Sequence, residues 1–195
     1  MELSHVISDA VLTAAGVFVF LKFLLKLDLI PSILWESFIL SITAAAFFGT
    51  LRFAGFSQAF DASVFFQHLA ATAGAVGLVA ASFSLVFDKT INKNTGIALI
   101  AIGFVLFMLV EGVGYVQLVQ HIPLFAIPIV LVLGIIAFLR NKPKAGLGLV
   151  LGVVFIALAT FKDRILPANI DPTDAYHYLV AISLLCFGFA AKEAK

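Results

Sequence analysis

The sequence predicts an all-α fold, a polytopic membrane protein built as a bundle of seven transmembrane helices, N-terminus outside and C-terminus inside. Three observations predict it. Hydrophobic residues make up 63% of the 195 positions and charged residues 12%, more apolar surface than a water-facing exterior can carry. Apolar runs of the roughly 20 residues needed to cross a bilayer recur along the whole chain. Lysine and arginine gather on alternate connections, as orientation in a membrane demands.

The runs are read in order as Val6 to Leu27, Ile30 to Phe53, Phe60 to Phe87, Thr95 to Leu118, Ile122 to Leu139, Ala145 to Phe161 and Pro172 to Ala191. The breaks carry turn or charge signals: Asp28 with Pro31, Gly55 to Ser57, Asp88 to Asn94, His121 with Pro123, Arg140 to Lys144, and Lys162 to Asp171. These connections are short, so neighbouring spans are expected to be antiparallel within one domain covering residues 1–195. The segment Met1 to His5 lacks a basic leader, so the first run is expected to be a retained span.

With the N-terminus outside, nine basic residues fall on the inner connections and ends, among them Lys89, Lys93, Arg140, Lys142, Lys144 and Lys195. Three fall outside: Arg52, Lys162 and Arg164. That bias gives N-out, C-in and an expected location in the cell (inner) membrane. A net charge of +1 gives no reason to expect nucleic acid as a partner; the lipid bilayer is the partner the composition implies. The single cysteine, Cys186, excludes an internal disulfide and a thiolate metal cluster.

Ionisable residues inside apolar runs are costly and usually serve function. Five stand out: Asp9, His68, Glu111, Asp174 and His177. At about 1.5 Å per residue, His68 falls roughly 12 Å into its span, Glu111 roughly 10 Å, His177 roughly 8 Å and Asp9 about one turn. All four depths are measured from the same face, which predicts one shared site. Asp171-Pro172-Thr-Asp174 also reads as a helix start, with Asp171 as cap. Glu36, beside Trp35, is expected at the other interface, with Trp35 as an interfacial anchor. His5 and His121 are expected to be solvated. Gly148 and Gly152 form a G-x-x-x-G spacing that permits close helix contact.

Two imidazoles and two carboxylates suit zinc, which keeps an open position in catalytic sites. His68, His177 and Asp174 are the candidate metal ligands. Glu111 and Asp9 are the candidate catalytic acids, with Glu111 taking a proton from metal-bound water. The substrate expected is a lipid amide or ester entering from the bilayer. A proton-coupled small-solute transporter or ion pathway is the alternative, because Asp, Glu and His chains form intramembrane proton relays. A b-type haem between His68 and His177, or a purely structural subunit, are further alternatives. No H-E-x-x-H, G-x-S-x-G or phosphate-binding loop is present.

Seven spans, N-out orientation, and histidines on an early and the last span resemble the alkaline ceramidase and adiponectin-receptor superfamily. That resemblance implies a zinc-dependent membrane hydrolase. Its Ser-x-x-x-His element corresponds to Ser63 and His68, here five residues apart, and its Asp to Glu111, one span later. In its His-x-x-x-His element Thr173 stands at the first position and His177 at the second. The Ser8-Asp9 start and Asp174-Ala-Tyr-His177 also look like uncharacterised bacterial seven-span families.

Overall fold

A computed structural model describes residues 3–165, 167 and 170–194. Among these, seven helices are long and apolar enough to cross a membrane. They are α1 (Leu3–Lys22), α2 (Leu29–Phe53), α3 (Ala59–Phe87), α4 (Lys93–Glu111), α5 (Leu118–Leu139), α6 (Pro143–Thr160) and α7 (Pro172–Ala191). A 3-10 turn, Leu24–Lys26, extends α1, and the short helix Lys162–Ile165 follows α6. The chain is an integral membrane protein by its helices, because a bilayer satisfies no backbone polar groups and helices satisfy their own. Met1, Glu2 and Lys195 lie outside the described residues.

Six helices close a ring in the order α1, α2, α3, α5, α6, α7, and α7 returns to α1. The fourth helix stands apart. It packs on α3, with little contact to α2 or α5. The ring's interior is apolar: Trp35, Phe38, Ile39, Leu78, Leu149 and Phe187 are buried there. Phe38 and Phe187 meet edge-on at 5.9 Å between centroids. Trp35 is therefore not the interfacial anchor expected from its neighbours; it is fully buried, because its face of α2 turns towards the ring.

Glycines mark the seams. A Cβ at Gly16 would stand 1.8 Å from the Thr43 hydroxyl of α2, and one at Gly188 2.7 Å from Val19 of α1. At Gly148 it would meet the Cys186 carbonyl of α7 at 2.7 Å, and at Gly152 the Phe187 ring at 2.5 Å. The G-x-x-x-G spacing thus serves the α6–α7 seam inside one chain. The α3 helix holds a π-turn over Ala70–Gly74, and its Gly74 and Gly77 come close to the α2 backbone at Ser37 and Leu34.

Two helix boundaries differ from the sequence expectation. The fourth helix ends at Glu111, not Leu118. Gly112 and Gly114 stop it, and Gly114, at φ +83, turns the chain so that Tyr115 N–H reaches the Leu109 carbonyl at 3.0 Å. Glu111 is therefore a terminal residue, one-third exposed on its side chain, and not a deep acid. The fifth helix starts at Leu118 and accommodates Pro123 and Pro128 internally.

At the opposite face Asp88, left-handed at φ 52, ends α3 and pairs with Lys142. Lys142 also donates to the Leu85 carbonyl at 2.7 Å. The Lys142 hydrogen bond, reinforced by its charge, holds the Asp88 carboxyl below its ordinary range. A depressed acid contributes stability above its unfolded pKa, about 3.9, which is lost as pH falls through the folded value. Lys142→Ala should return the Asp88 titration to the ordinary range, read by NMR; an unmoved titration would contradict the pairing. Gly148→Val should lower stability by about 1–3 kcal/mol through overpacking, read as a lower unfolding midpoint in detergent.

Candidate polar site at the α1–α7 seam

The α1 sequence places His5, Ser8 and Asp9 at spacings of three and four, so one helix face carries all three. The start of α7 does the same with Asp171, Asp174 and His177. Pro172 begins that helix, and Asp171 accepts hydrogen bonds from Thr173 N–H at 2.8 Å and Asp174 N–H at 3.1 Å. That cap was legible in the sequence. It fixes the first turn and turns Asp174 and His177 towards α1.

The two faces interlock. Nδ1 of His5 lies 2.8 Å from Oδ1 of Asp174. The Ser8 hydroxyl is 2.8 Å from the same Asp174 oxygen and 2.9 Å from Nδ1 of His177. Nε2 of His177 is 3.2 Å from Oδ1 of Asp9. One consistent assignment has His5 donating to Asp174 and His177 donating through Nε2 to Asp9. The single Ser8 proton then faces two close side-chain acceptors, Asp174 and His177, with the His5 carbonyl farther off at 3.2 Å.

Exposure is greatest at Asp171 and least at Ser8 and Asp9. The Asp171 side chain is 49% exposed, Asp174 18%, His177 12% and Asp9 5%, with Ser8 fully buried. Below Asp9 the seam is apolar at Leu12 and Val19. Gly49 of α2 leaves room for the Asp9 carboxylate, since a Cβ there would lie 2.4 Å from Oδ2. Above, the Phe53 ring covers His5 at 4.9 Å, and the Arg52 guanidinium lies over the Phe53 and Phe60 rings at 5.0 and 4.5 Å.

His68 and Glu111 are elsewhere. They pair with each other across α3 and α4, and α2 stands between α3 and α1 in the ring. The expected single site is thereby corrected to two groups: Asp9, Asp174 and His177 at one seam, His68 and Glu111 at another. The depths counted from the sequence were similar, but position around the ring was not, and sequence depth carries no information about that angle. Asp174 does not partner His177 directly; Ser8 stands between them. His5, expected to be solvated, is largely enclosed at 14% side-chain exposure. Its signal was present in the His5-x-x-Ser8-Asp9 spacing.

Nδ1 of His5 and carboxylate oxygens of Asp171 and Asp174 all lie within 4.8 Å of one another. One imidazole and two carboxylates are donors suited to zinc, which Nδ1 of His5 can join only by giving up the proton it otherwise donates to Asp174. Ser8, His177 and Asp9 also present a Ser–His–Asp connectivity. The burial of Ser8 withholds its hydroxyl from a substrate, so it serves as a link and not as a nucleophile.

Comparison with known proteins adds one assignment. The chain belongs to a family of unknown function, DUF6962. The family model matches residues 4–195, so all seven spans lie within it. No curated protein and no solved structure matches.

Ser8→Ala should leave both Asp174 and His177 short of a partner and cost about 1–3 kcal/mol, measured by thermal unfolding in detergent. Among the described residues the two polar groups share no hydrogen-bond partner, so His177→Ala and His68→Ala should combine additively within about 0.5 kcal/mol. A larger coupling would mean that the groups act as one site.

Proposed function

We propose that this protein is a metal-dependent membrane hydrolase whose site is the α1–α7 seam. The observation that carries the reading is the hydrogen-bonded series Asp174–Ser8–His177–Asp9 running inward from a His5, Asp171 and Asp174 ligand group. His5, Asp171 and Asp174 would hold zinc, which supplies an acidified water and a polarised carbonyl when bound. In hydrolysis the water oxygen bonds to the carbonyl carbon and the C–N or C–O bond breaks. Asp174, holding the ion through one carboxylate oxygen, would accept the water's proton on the other, and Ser8 would take it while giving its own to His177. The imidazolium so formed is stabilised by Asp9. The same series returns a proton to the leaving amine or alcohol. Arg52, at the mouth, orients an anionic or polar headgroup, and the substrate is a lipid amide or ester reached from the bilayer.

The basic bias of the opposite connections supports placing the site on the outer side of a cell membrane. A blind apolar floor below Asp9 favours local chemistry over passage of a solute. The proton-coupled transporter remains a second reading because a series of titratable side chains is itself a proton relay. Proton uptake by proteoliposomes, abolished by Asp9→Asn, would favour it.

The purified protein should carry about one zinc per chain. Asp174→Asn should lose the metal. His177→Ala should keep it yet lose hydrolysis of amide or ester lipids by about a hundredfold or more. Glu111→Gln should retain both. Zinc-free wild-type protein, or a fully active His177→Ala variant, would overturn the proposal.

A further inference from the structure

A second feature lies at the other end of the molecule. The fourth helix leans on α3 and hardly touches α5, and the three helices enclose a groove of about 750 Å³. Its walls are apolar: Ala75, Val79 and Phe83 from α3, Leu99 from α4, Phe125 and Ile129 from α5. Its polar lining is confined to one end, the α3–α4 connection, where Lys89, Thr90, Asn92 and Thr95 stand.

That end carries an excess of positive charge. Lys89 and Lys93 are exposed beside the groove, and Arg140, Lys142 and Lys144 follow on the α5–α6 connection. Asp88 pairs with Lys142 and also feels the charge of Arg140, so one acid stands against five cations on and beside these two connections. Asn92 caps α4 by accepting from Thr95 N–H at 2.9 Å, so the positive end of a 19-residue helix also points to the mouth.

We infer that this groove is a binding site for an anionic phospholipid, with one acyl chain between α3, α4 and α5 and the phosphate at Lys89 and Lys93. The reasoning is complementarity at both ends. The groove lies within the span of the helices, so its occupant there must be hydrocarbon. The mouth is at headgroup level and cationic, and basic pockets between spans recognise anionic headgroups. A free anion would not fill the apolar length, and a zwitterionic lipid would gain little from the lysines. The site is independent of the hydrolytic proposal.

The test is native mass spectrometry of the detergent-purified protein, titrated with phosphatidylglycerol or with phosphatidylcholine of the same chains. Phosphatidylglycerol should bind tighter by about tenfold or more, from two lysines at about fivefold each. The double variant Lys89→Gln and Lys93→Gln should erase that preference. Lys144→Gln, outside the groove lining, should change it less than twofold. Ala80→Trp, which fills the groove, should abolish retention of either lipid; Leu99→Trp on the loosely held α4 gives the same reading should Ala80→Trp fail to fold. Equal affinity for the two lipids, an effect of Lys144→Gln as large as that of the double variant, or full binding by a correctly folded groove-filling variant would each overturn the inference.

Discussion

Backbone-to-backbone closeness at the helix seams is the constraint on which the rest depends. Lipid chains are as apolar as leucine, so no hydrophobic force drives these spans together, and packing must do so. Glycine at Gly16, Gly148, Gly152 and Gly188 brings α1, α2, α6 and α7 close enough that any larger residue would strike a side chain or a carbonyl of the neighbouring helix. Once α1 and α7 are that close, polar residues on their facing sides reach water only at the rim. His5, Ser8, Asp9, Asp174 and His177 therefore satisfy one another. The polar series is thus a consequence of the seam as well as its occupant.

The sequence made the spans legible because hydrocarbon imposes a length and a composition that few other environments require. Asp171-Pro172 was legible for the same kind of reason, since a capping carboxylate and a first-turn proline are local chemistry. Glu111 was misjudged in depth because Val113, Tyr115 and Val116 prolong the apolar run past the glycines that end the helix. A hydropathy reading weighs side chains, whereas helix termination here is decided by backbone freedom at Gly112 and Gly114. Trp35 was misjudged because interfacial preference says which depth suits a tryptophan and not which face of the helix carries it. The separation of His68 from His177 lay beyond sequence reading altogether, since it rests on the order of helices around a ring.

That order also explains why the two ends of the molecule differ. Around most of the ring each helix touches two neighbours, and the seams are closed by small residues. The fourth helix has one principal neighbour, α3, at a stretch where Ala73 lies beneath Gly103 and the π-turn changes the rotation of α3 below His68. A π-turn adds a residue to one turn, so side chains beyond it face a different way from those before it. The His68–Glu111 pair ties α4 to α3 at one end, and the glycine contact ties it in the middle. Beyond these, α5 is pushed away, its ladder interrupted at Pro128, and the space between them is filled by neither.

A membrane cannot leave such a space empty, because hydrocarbon chains are mobile and voids forfeit dispersion contacts on every side. Lipid tails entering between α4 and α5 would complete the packing that protein side chains complete elsewhere. The cations at the mouth then decide which lipid, since tail packing is much the same for all headgroups and only charge distinguishes them. On this argument the two polar ends have different origins. The inner part of the α1–α7 cluster, Ser8 and Asp9, is enclosed because its helices are close, and the lysine cluster is open because its helices are too far apart to exclude lipid. A change that tightened α4 against α5 would leave Asp9 and His177 where they are and remove the groove, whereas widening the Gly16 or Gly188 seam would admit water to Asp9 and leave the groove intact.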